Sequence, residues 1–445
     1  MNYEQVLENV SVLGAAGKMG SGILLLTAVE MTDLKIKTRN TNYKLNAIDV
    51  SENALTGVLK YVETQARKIA EKKIDFIKEH SPDENDEGKL IEKYVSEVLS
   101  IINISTKMES AASSKIIFEA VNENPELKIN LFTKIERMNN CNPWYFTNTS
   151  SVPIGYLDDK AVLNGRIIGF HFYNPPAVQK LVELITCPST KPEIHEFAMQ
   201  LAKKLKKTVV PSNDVAGFIG NGHFMRDALF ALNEVEGLHR ELSFAESVFI
   251  INKISQEYLI RPMGIFQLID YVGIDVVLFI LKVMNPYMPD ENLESTLLDK
   301  FIKLGIKGGQ NPDGSQRDGI MKYEKGQPIS IYDFSGENYQ PISEIREKCD
   351  SLLGNTPSKI QTWKNVIKAD DRDKILREYF NELENLNTPG GELARKYCAY
   401  SRKIALKLVH DKVANNEEDV NTILKTGFFH AYGPINNYMD RSNIS

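Results

Sequence analysis

The chain has 445 residues, 42% of them hydrophobic and 25% charged, which suits a globular protein with two or three cores. A net charge of −6 and a pI near 5.8 argue against a nucleic-acid partner, and no apolar run is long enough to span a membrane. The start, Met1-Asn2-Tyr3-Glu4-Gln5, lacks the basic region and apolar core of a secretory signal. Four scattered cysteines (Cys141, Cys187, Cys349, Cys398), with no CxxC pair and no histidine cluster, read as reduced thiols of a cytoplasmic protein without a metal site.

The first element is a short apolar strand, residues 9–13, running into Gly14-Ala15-Ala16-Gly17-Lys18-Met19-Gly20 and then an apolar helix over residues 23–31. Strand, glycine turn and helix form the context in which backbone amides and a helix dipole receive a pyrophosphate. A turn that only connects strand to helix would use the same residues. A second strand, residues 45–49, ends in Asp49, placed to accept hydrogen bonds from an adenosine ribose and to repel a 2′-phosphate, which favours NAD over NADP. The 29 residues from Gly20 to Asp49 exceed the usual spacing of about 20 and point to an insertion within residues 31–44.

A helical stretch rich in Lys and Glu follows over residues 52–93, broken at Ser81-Pro82-Asp83. Its lysines read as solvated surface or as contacts to ligand phosphates. Residues 115–121 are a buried-type strand leading to Asn122-Glu123-Asn124-Pro125 and a helix over residues 126–138. The next strand, residues 144–147, delivers Asn148-Thr149-Ser150-Ser151 to its carboxyl end, where open parallel sheets bind their ligands. A simple turn or helix cap would use the same residues.

Residues 166–185, RIIGFHFYNPPAVQKLVELI, are the most informative. They set His171 twelve positions before Glu183 at the junction of two strand-like runs. Oxidising a secondary alcohol requires a base for the hydroxyl proton while hydride leaves the same carbon. Imidazole suits that base because it titrates near neutrality, and a carboxylate on its second nitrogen fixes the tautomer and stabilises the imidazolium. The plainer readings are a hydrogen-bonded core histidine and a glutamate paired with a surface lysine.

These blocks resemble the L-3-hydroxyacyl-CoA dehydrogenases. The family carries G-x-H-F-x-N-P-x-x-x-x-K-L-V-E, and the chain reads Gly169-Phe170-His171-Phe172-Tyr173-Asn174-Pro175-Pro176 through Lys180-Leu181-Val182-Glu183. N-T-S-S is matched by Asn148 to Ser151, and E-A-x-x-E-N-x-x-x-K by Glu119 through Lys128. D-x-P-G-F-I-x-N-R is met by Asp214-Val215-Ala216-Gly217-Phe218-Ile219-Gly220-Asn221-Gly222, with Ala216 and Gly222 departing from it. P-M-G-P-F-E-L-x-D-x-x-G-x-D becomes Pro262 through Asp275. The glycine turn, Gly-x-x-Gly-x-x-Gly, is one residue longer than the family's.

The resemblance implies an α/β Rossmann-like NAD-binding domain followed by all-α C-terminal domains, with NAD as cofactor and an acyl-CoA as substrate. By position it implies His171 as general base, Glu183 as its orienting partner, and Ser150 and Asn221 as holders of the substrate oxygen. Asn174, Glu123, Lys128 and Ala120 match residues lining the nicotinamide half of the cofactor pocket, with Asn148 beside them. Gly14, Gly17, Lys18, Met19, Gly20 and Asp49 serve the adenosine half, and Lys72 falls where a CoA-phosphate contact is expected.

The remainder divides into a hinge at Val209-Val210-Pro211-Ser212, a mostly helical domain to residue 335, and a third unit. The expected domains are 1–211, 212–335 and 336–445, the last a degenerate second copy of the helical domain, as in the dehydrogenase part of fatty-acid oxidation proteins. Residues 308–334 read as a loop plus a β-hairpin of unassigned role. The single-copy members pair through the helical domain, so a chain carrying its own second copy is expected to be a monomer or a looser homodimer. The sequence does not say whether other β-oxidation enzymes dock on the third unit. The leading function is NAD-dependent oxidation of an L-3-hydroxyacyl-CoA in fatty-acid β-oxidation. The alternatives are a dehydrogenase of a free hydroxy acid or sugar acid, and a non-catalytic NAD-binding relative.

Overall fold

The computed structural model describes residues 2–311 and 314–439, and it separates into two compact units, 1–214 and 215–445. Among the described residues no helix is long and apolar enough to cross a membrane.

The first unit is built on eight strands: β1 (Asn9–Leu13), β2 (Lys44–Ile48), β3 (Ile102–Ser105), β4 (Ile116–Glu119), β5 (Trp144–Thr147), β6 (Ile167–Phe172), β7 (Leu181–Thr186) and β8 (Thr208–Asn213). Their order in the sheet is β3-β2-β1-β4-β5-β6-β7-β8. Every neighbouring pair is parallel except β6 with β7. Strands buried on both faces read as continuous apolar runs, and β4 and β5 are buried at every position. The strand order reverses direction between β1 and β4, which opens a crevice at the carboxyl ends of those strands.

The Lys18–Thr38 helix covers the sheet with Ile23, Leu24, Ala28 and Met31. The Glu52–Lys72 helix buries Leu55, Val58, Val62, Ala66 and Ala70, a helical spacing, against the Glu87–Ser100 helix. Three details depart from the sequence reading. The extra length before Asp49 is helical, because the Lys18–Thr38 helix continues for 21 residues. The short edge strand β3 follows the Lys- and Glu-rich helices. The expected hinge is β8, paired in parallel with β7 so that Leu184 faces Pro211. A proline is tolerated there because β8 is the last strand of the sheet.

The second unit is mainly helical. Its long Phe218–Leu238 helix is followed by Phe244–Lys253, a π turn at Ile254–Tyr258, Ile265–Val272, Ile274–Met284 and Thr296–Lys303. A three-stranded antiparallel sheet comes next: β9 (Met321–Glu324), β10 (Gln327–Asp333) and β11 (Asn338–Pro341). The expected hairpin is β9–β10, and β11 adds a third strand. Of the expected preceding loop, Pro312 and Asp313 lie outside the described residues. The closing helices include Arg372–Glu384, Pro389–His410 and Glu417–Gly427.

Residues on both sides of position 335 share one core, in which Phe224, Met225 and Ala228 belong with Tyr379, Phe380 and Tyr397. Arg261 ties the halves together, donating to Asp227 Oδ2 at 2.7 Å and to Ser401 Oγ at 3.3 Å, all three buried. Residues 215–335 and 336–439 therefore lie in one compact unit.

Asp270, fully buried on the Ile265–Val272 helix, pins the entry to β9. Its carboxylate accepts the amides of Ile320 (2.7 Å) and Met321 (2.9 Å) and the Tyr323 hydroxyl (2.9 Å). Asp270→Asn removes one of these acceptors while keeping the shape, and is expected to destabilise the protein by about 1–3 kcal/mol in urea unfolding.

Candidate active site

The glycine turn sits at the carboxyl end of β1, wrapped as tightly as a backbone allows. Gly14 has φ +73°, and a Cβ there would lie 2.7 Å from the Ala120 carbonyl oxygen. A Cβ on Gly20 would lie 2.0 Å from the Gly14 oxygen, so only glycine lets the first helical turn close on the strand. Gly17 caps the Lys18–Thr38 helix without a side chain, which leaves its opening amides, those of Lys18, Met19 and Gly20, at a helix end suited to an anion. Asp49 follows β2 and accepts the Ala16 amide at 3.0 Å, bracing the longer turn from beneath. Crevice, uncapped helix end and acid at the second strand fit a dinucleotide.

Beyond β4 and β5 lies a buried ionic frame. Lys128, only 1% exposed, bridges Glu119 at 2.7 Å and Glu123 at 3.1 Å. Thr147 donates to the other oxygen of Glu119 at 2.6 Å. Glu123 Oε1 in turn gathers the Asn148–Ser151 turn. It accepts the Thr149 hydroxyl (2.6 Å), the amides of Ser150 (2.8 Å) and Ser151 (3.0 Å), and the Ser151 hydroxyl (2.9 Å). Burial alone would raise the Glu123 carboxyl, but the Lys128 ammonium and these donors outweigh it and hold its pKa at about 2. Burial likewise opposes the charge of Lys128, and its two carboxylates keep its pKa raised. Glu123 and Lys128 thus shape the backbone that carries Ser150.

His171 and Glu183 are directly opposed across the antiparallel β6–β7 pair. Residues opposed in this way share one face of the sheet. Their side chains meet, His171 Nδ1 to Glu183 Oε2, at 3.2 Å, with Glu183 fully buried and His171 9% exposed. A carboxylate only accepts, so this contact puts the proton on Nδ1 and turns Nε2 away from Glu183. Asn148 Oδ1 accepts the Phe172 amide at 2.8 Å, locking the end of β5 to the strand that carries His171. Asn174 opens the β6–β7 turn through a cis bond to Pro175.

The carboxyl ends of β1, β2, β4, β5 and β6 in one sheet therefore collect the glycine turn, Asp49, Ala120, Glu123, Asn148, Ser150, His171 and Asn174. Asn221 stands on the first turn of the Phe218–Leu238 helix of the second unit. Lys72 is exposed at the last residue of the 21-residue Glu52–Lys72 helix, about 30 Å along that helix from the Asp49 end. Glu119, Thr149 and Tyr173 meet these groups although the sequence reading gave them no role of their own. A charged residue closing the apolar run of β4 was the available signal for Glu119. Strand alternation from His171 was the signal for Tyr173.

Residues 9–215 match the family described as 3-hydroxyacyl-CoA dehydrogenase, NAD binding domain, and residues 245–317 match its C-terminal domain. A probable 3-hydroxybutyryl-CoA dehydrogenase of Bacillus subtilis is 31% identical over 312 residues, spanning 69% of this chain and 96% of that protein. The chain belongs to the 3-hydroxyacyl-CoA dehydrogenase family. The mitochondrial hydroxyacyl-coenzyme A dehydrogenase of Mus musculus is 30% identical over 314 residues, 68% of this chain and 90% of that one. The structure of 3-hydroxybutyryl-CoA dehydrogenase from Escherichia coli superposes with a TM-score of 0.63 over 96% of this chain and 90% of that chain. At 20% identity that likeness is one of fold. The (S)-3-hydroxybutyryl-CoA dehydrogenase of Ralstonia eutropha gives a TM-score of 0.55 at 25% identity, covering 72% of this chain and 100% of that one. This member of the 3-hydroxyacyl-CoA dehydrogenase family is an NAD-dependent oxidoreductase.

The Glu123 frame has a pH signature. A carboxyl lowered from 4.5 to about 2 on folding contributes stability that is fully present above pH 4.5 and is lost as pH falls toward 2. Unfolding measured across that window is expected to show the loss in the wild type and a flatter dependence in Glu123→Gln.

Proposed function

We propose that this enzyme oxidises an L-3-hydroxyacyl-CoA to the 3-oxoacyl-CoA, with His171 as general base and Glu183 as its orienting partner. The observation that carries the reading is the buried His171–Glu183 contact at the ligand edge of an NAD-binding sheet. Nε2 of His171 takes the proton of the 3-hydroxyl. The Nδ1–H stays on Glu183, whose charge stabilises the imidazolium until the proton leaves. The glycine turn and Asp49 would hold NAD, which would supply the acceptor for the hydride leaving that carbon. Ser150, on the turn gathered by Glu123, holds the substrate oxygen in this reading, and Asn221 is proposed as a substrate contact on the resemblance alone. Asn148, Asn174, Ala120 and Glu123 border the nicotinamide half, Lys128 acts there through Glu123, and Asp49 meets the adenosine ribose. Lys72 is assigned no contact.

The reverse reaction, protonation of the alkoxide by the same imidazolium, follows from microscopic reversibility. The relatives named above act on hydroxybutyryl- and hydroxyacyl-CoA esters, which supports a place in β-oxidation. On the resemblance, residues 336–445 are proposed as a degenerate second copy of the helical domain, and the chain as a monomer or a loose homodimer.

The test follows NADH absorbance with purified protein and acetoacetyl-CoA. NADH oxidation by the wild type is expected, with a loss of about 10²- to 10⁴-fold in His171→Ala. NADPH is expected to be a poor substitute because of Asp49. Turnover of a free hydroxy acid in place of the CoA ester would contradict the reading.

A further inference from the structure

The sheet that opposes His171 to Glu183 brings a third side chain to the same face. Alternate residues of an extended strand point the same way, so Tyr173, two after His171, lies beside it. The rings sit 4.8 Å apart between centroids, inclined by 39°. The Tyr173 hydroxyl donates to Glu183 Oε2 at 3.1 Å, the same oxygen that lies 3.2 Å from His171 Nδ1. Glu183 is fully buried and Tyr173 is 9% exposed. The family segment G-x-H-F-x-N-P leaves this position open.

We propose that Tyr173 is a positioning residue of this site, holding the Glu183 carboxylate in the orientation His171 needs and taking up part of its charge. The proposal rests on the reading of His171 as the acid–base group. A phenylalanine would fill the same space, so the hydroxyl is the part that requires explanation. Glu183 carries its charge away from water, where each donor to it counts heavily. Burial, then the Glu183 charge, then the hydrogen bond push the phenol well above its ordinary range, so it remains a donor throughout the working pH range.

The balance of charge has a direction. With two donors on Oε2, the carboxylate holds the imidazolium less tightly than with His171 alone. His171 can then both take a proton in oxidation and give one up in reduction. Without the phenol, the whole of the Glu183 charge is directed at the imidazole.

The experiment measures kcat and KM for NADH oxidation with acetoacetyl-CoA across pH in wild type, Tyr173→Phe, Glu183→Gln and the double variant. Tyr173→Phe is expected to lower kcat by about 3- to 10-fold, leave KM within about twofold, and move the alkaline limb up by about half a pH unit. In the Glu183→Gln background the same change is expected to add nothing, since the acceptor it acts through is altered. A 3-fluorotyrosine at position 173, a stronger donor, is expected to move the limb the other way, and it keeps the test open if the Phe variant folds poorly.

Equal losses in both backgrounds with the limb unmoved would overturn the proposal in favour of a packing role. So would an unchanged kcat, or a rise in KM alone. Absence of wild-type turnover would instead defeat the functional reading. The ¹⁵N shift of His171 Nδ1, compared between wild type and Tyr173→Phe, still reads the phenol in that case.

Discussion

The antiparallel pairing of β6 with β7 is the constraint on which the site depends. In an otherwise parallel sheet a connection between neighbours needs a crossover of a dozen or more residues. Here the chain turns back within Tyr173–Lys180, so two residues twelve apart in sequence become direct cross-strand partners. A slip of one residue would send Glu183 to the opposite face and leave a carboxylate buried without its imidazole. The pairing therefore fixes the His171–Glu183 contact and sets the electrostatic penalty for error together. A fully buried carboxylate is tolerable only where donors reach it, and His171 Nδ1 and the Tyr173 hydroxyl are among those that do.

The cofactor half is arranged on a different principle, a rigid frame of opposite charges. Lys128 between Glu119 and Glu123 is too deeply buried to meet a ligand through its ammonium, yet it holds Glu123 ionised. Glu123 then organises the Asn148–Ser151 turn through four strong contacts. Removing one charge would leave the others uncompensated in a low-dielectric interior, so this frame resists drift in a way that a chain of neutral hydrogen bonds would not. Ser150 inherits that rigidity from its backbone.

Much of this was legible in the chain, because the informative residues lie on strand–turn–helix junctions where one short motif sets both local structure and chemistry. The glycine turn, Asp49, the Asn148–Ser151 turn and the His171–Glu183 spacing all fall on the carboxyl edge of the sheet, as a parallel sheet requires. What escaped has physical reasons. β3 is four residues long and only half buried, so it carries no apolar run to mark it. β8 contains Pro211, which reads as a break but costs nothing on an outer strand. The partnership of Lys128 with Glu119 and the contact of Tyr173 with Glu183 depend on three-dimensional neighbours that spacing alone only suggests. Residues on both sides of position 335 share one core, carried by residues such as Phe224 and Tyr397, which no local signal in the sequence announces. Lys72 was placed within a solvated helix that offers no fixed landmark, and the structure sets it a helix length from Asp49.

The central claim is that Glu183 fixes the proton on Nδ1 of His171 and presents Nε2 to the substrate. Free imidazole favours the opposite tautomer, so ¹⁵N NMR of the histidine rings in the intact protein tests the claim directly. A neutral His171 carrying its proton on Nδ1, converted toward a mixture in Glu183→Gln, is the expected result. A His171 protonated on Nε2 in the wild type, or indifferent to the change at Glu183, would contradict it.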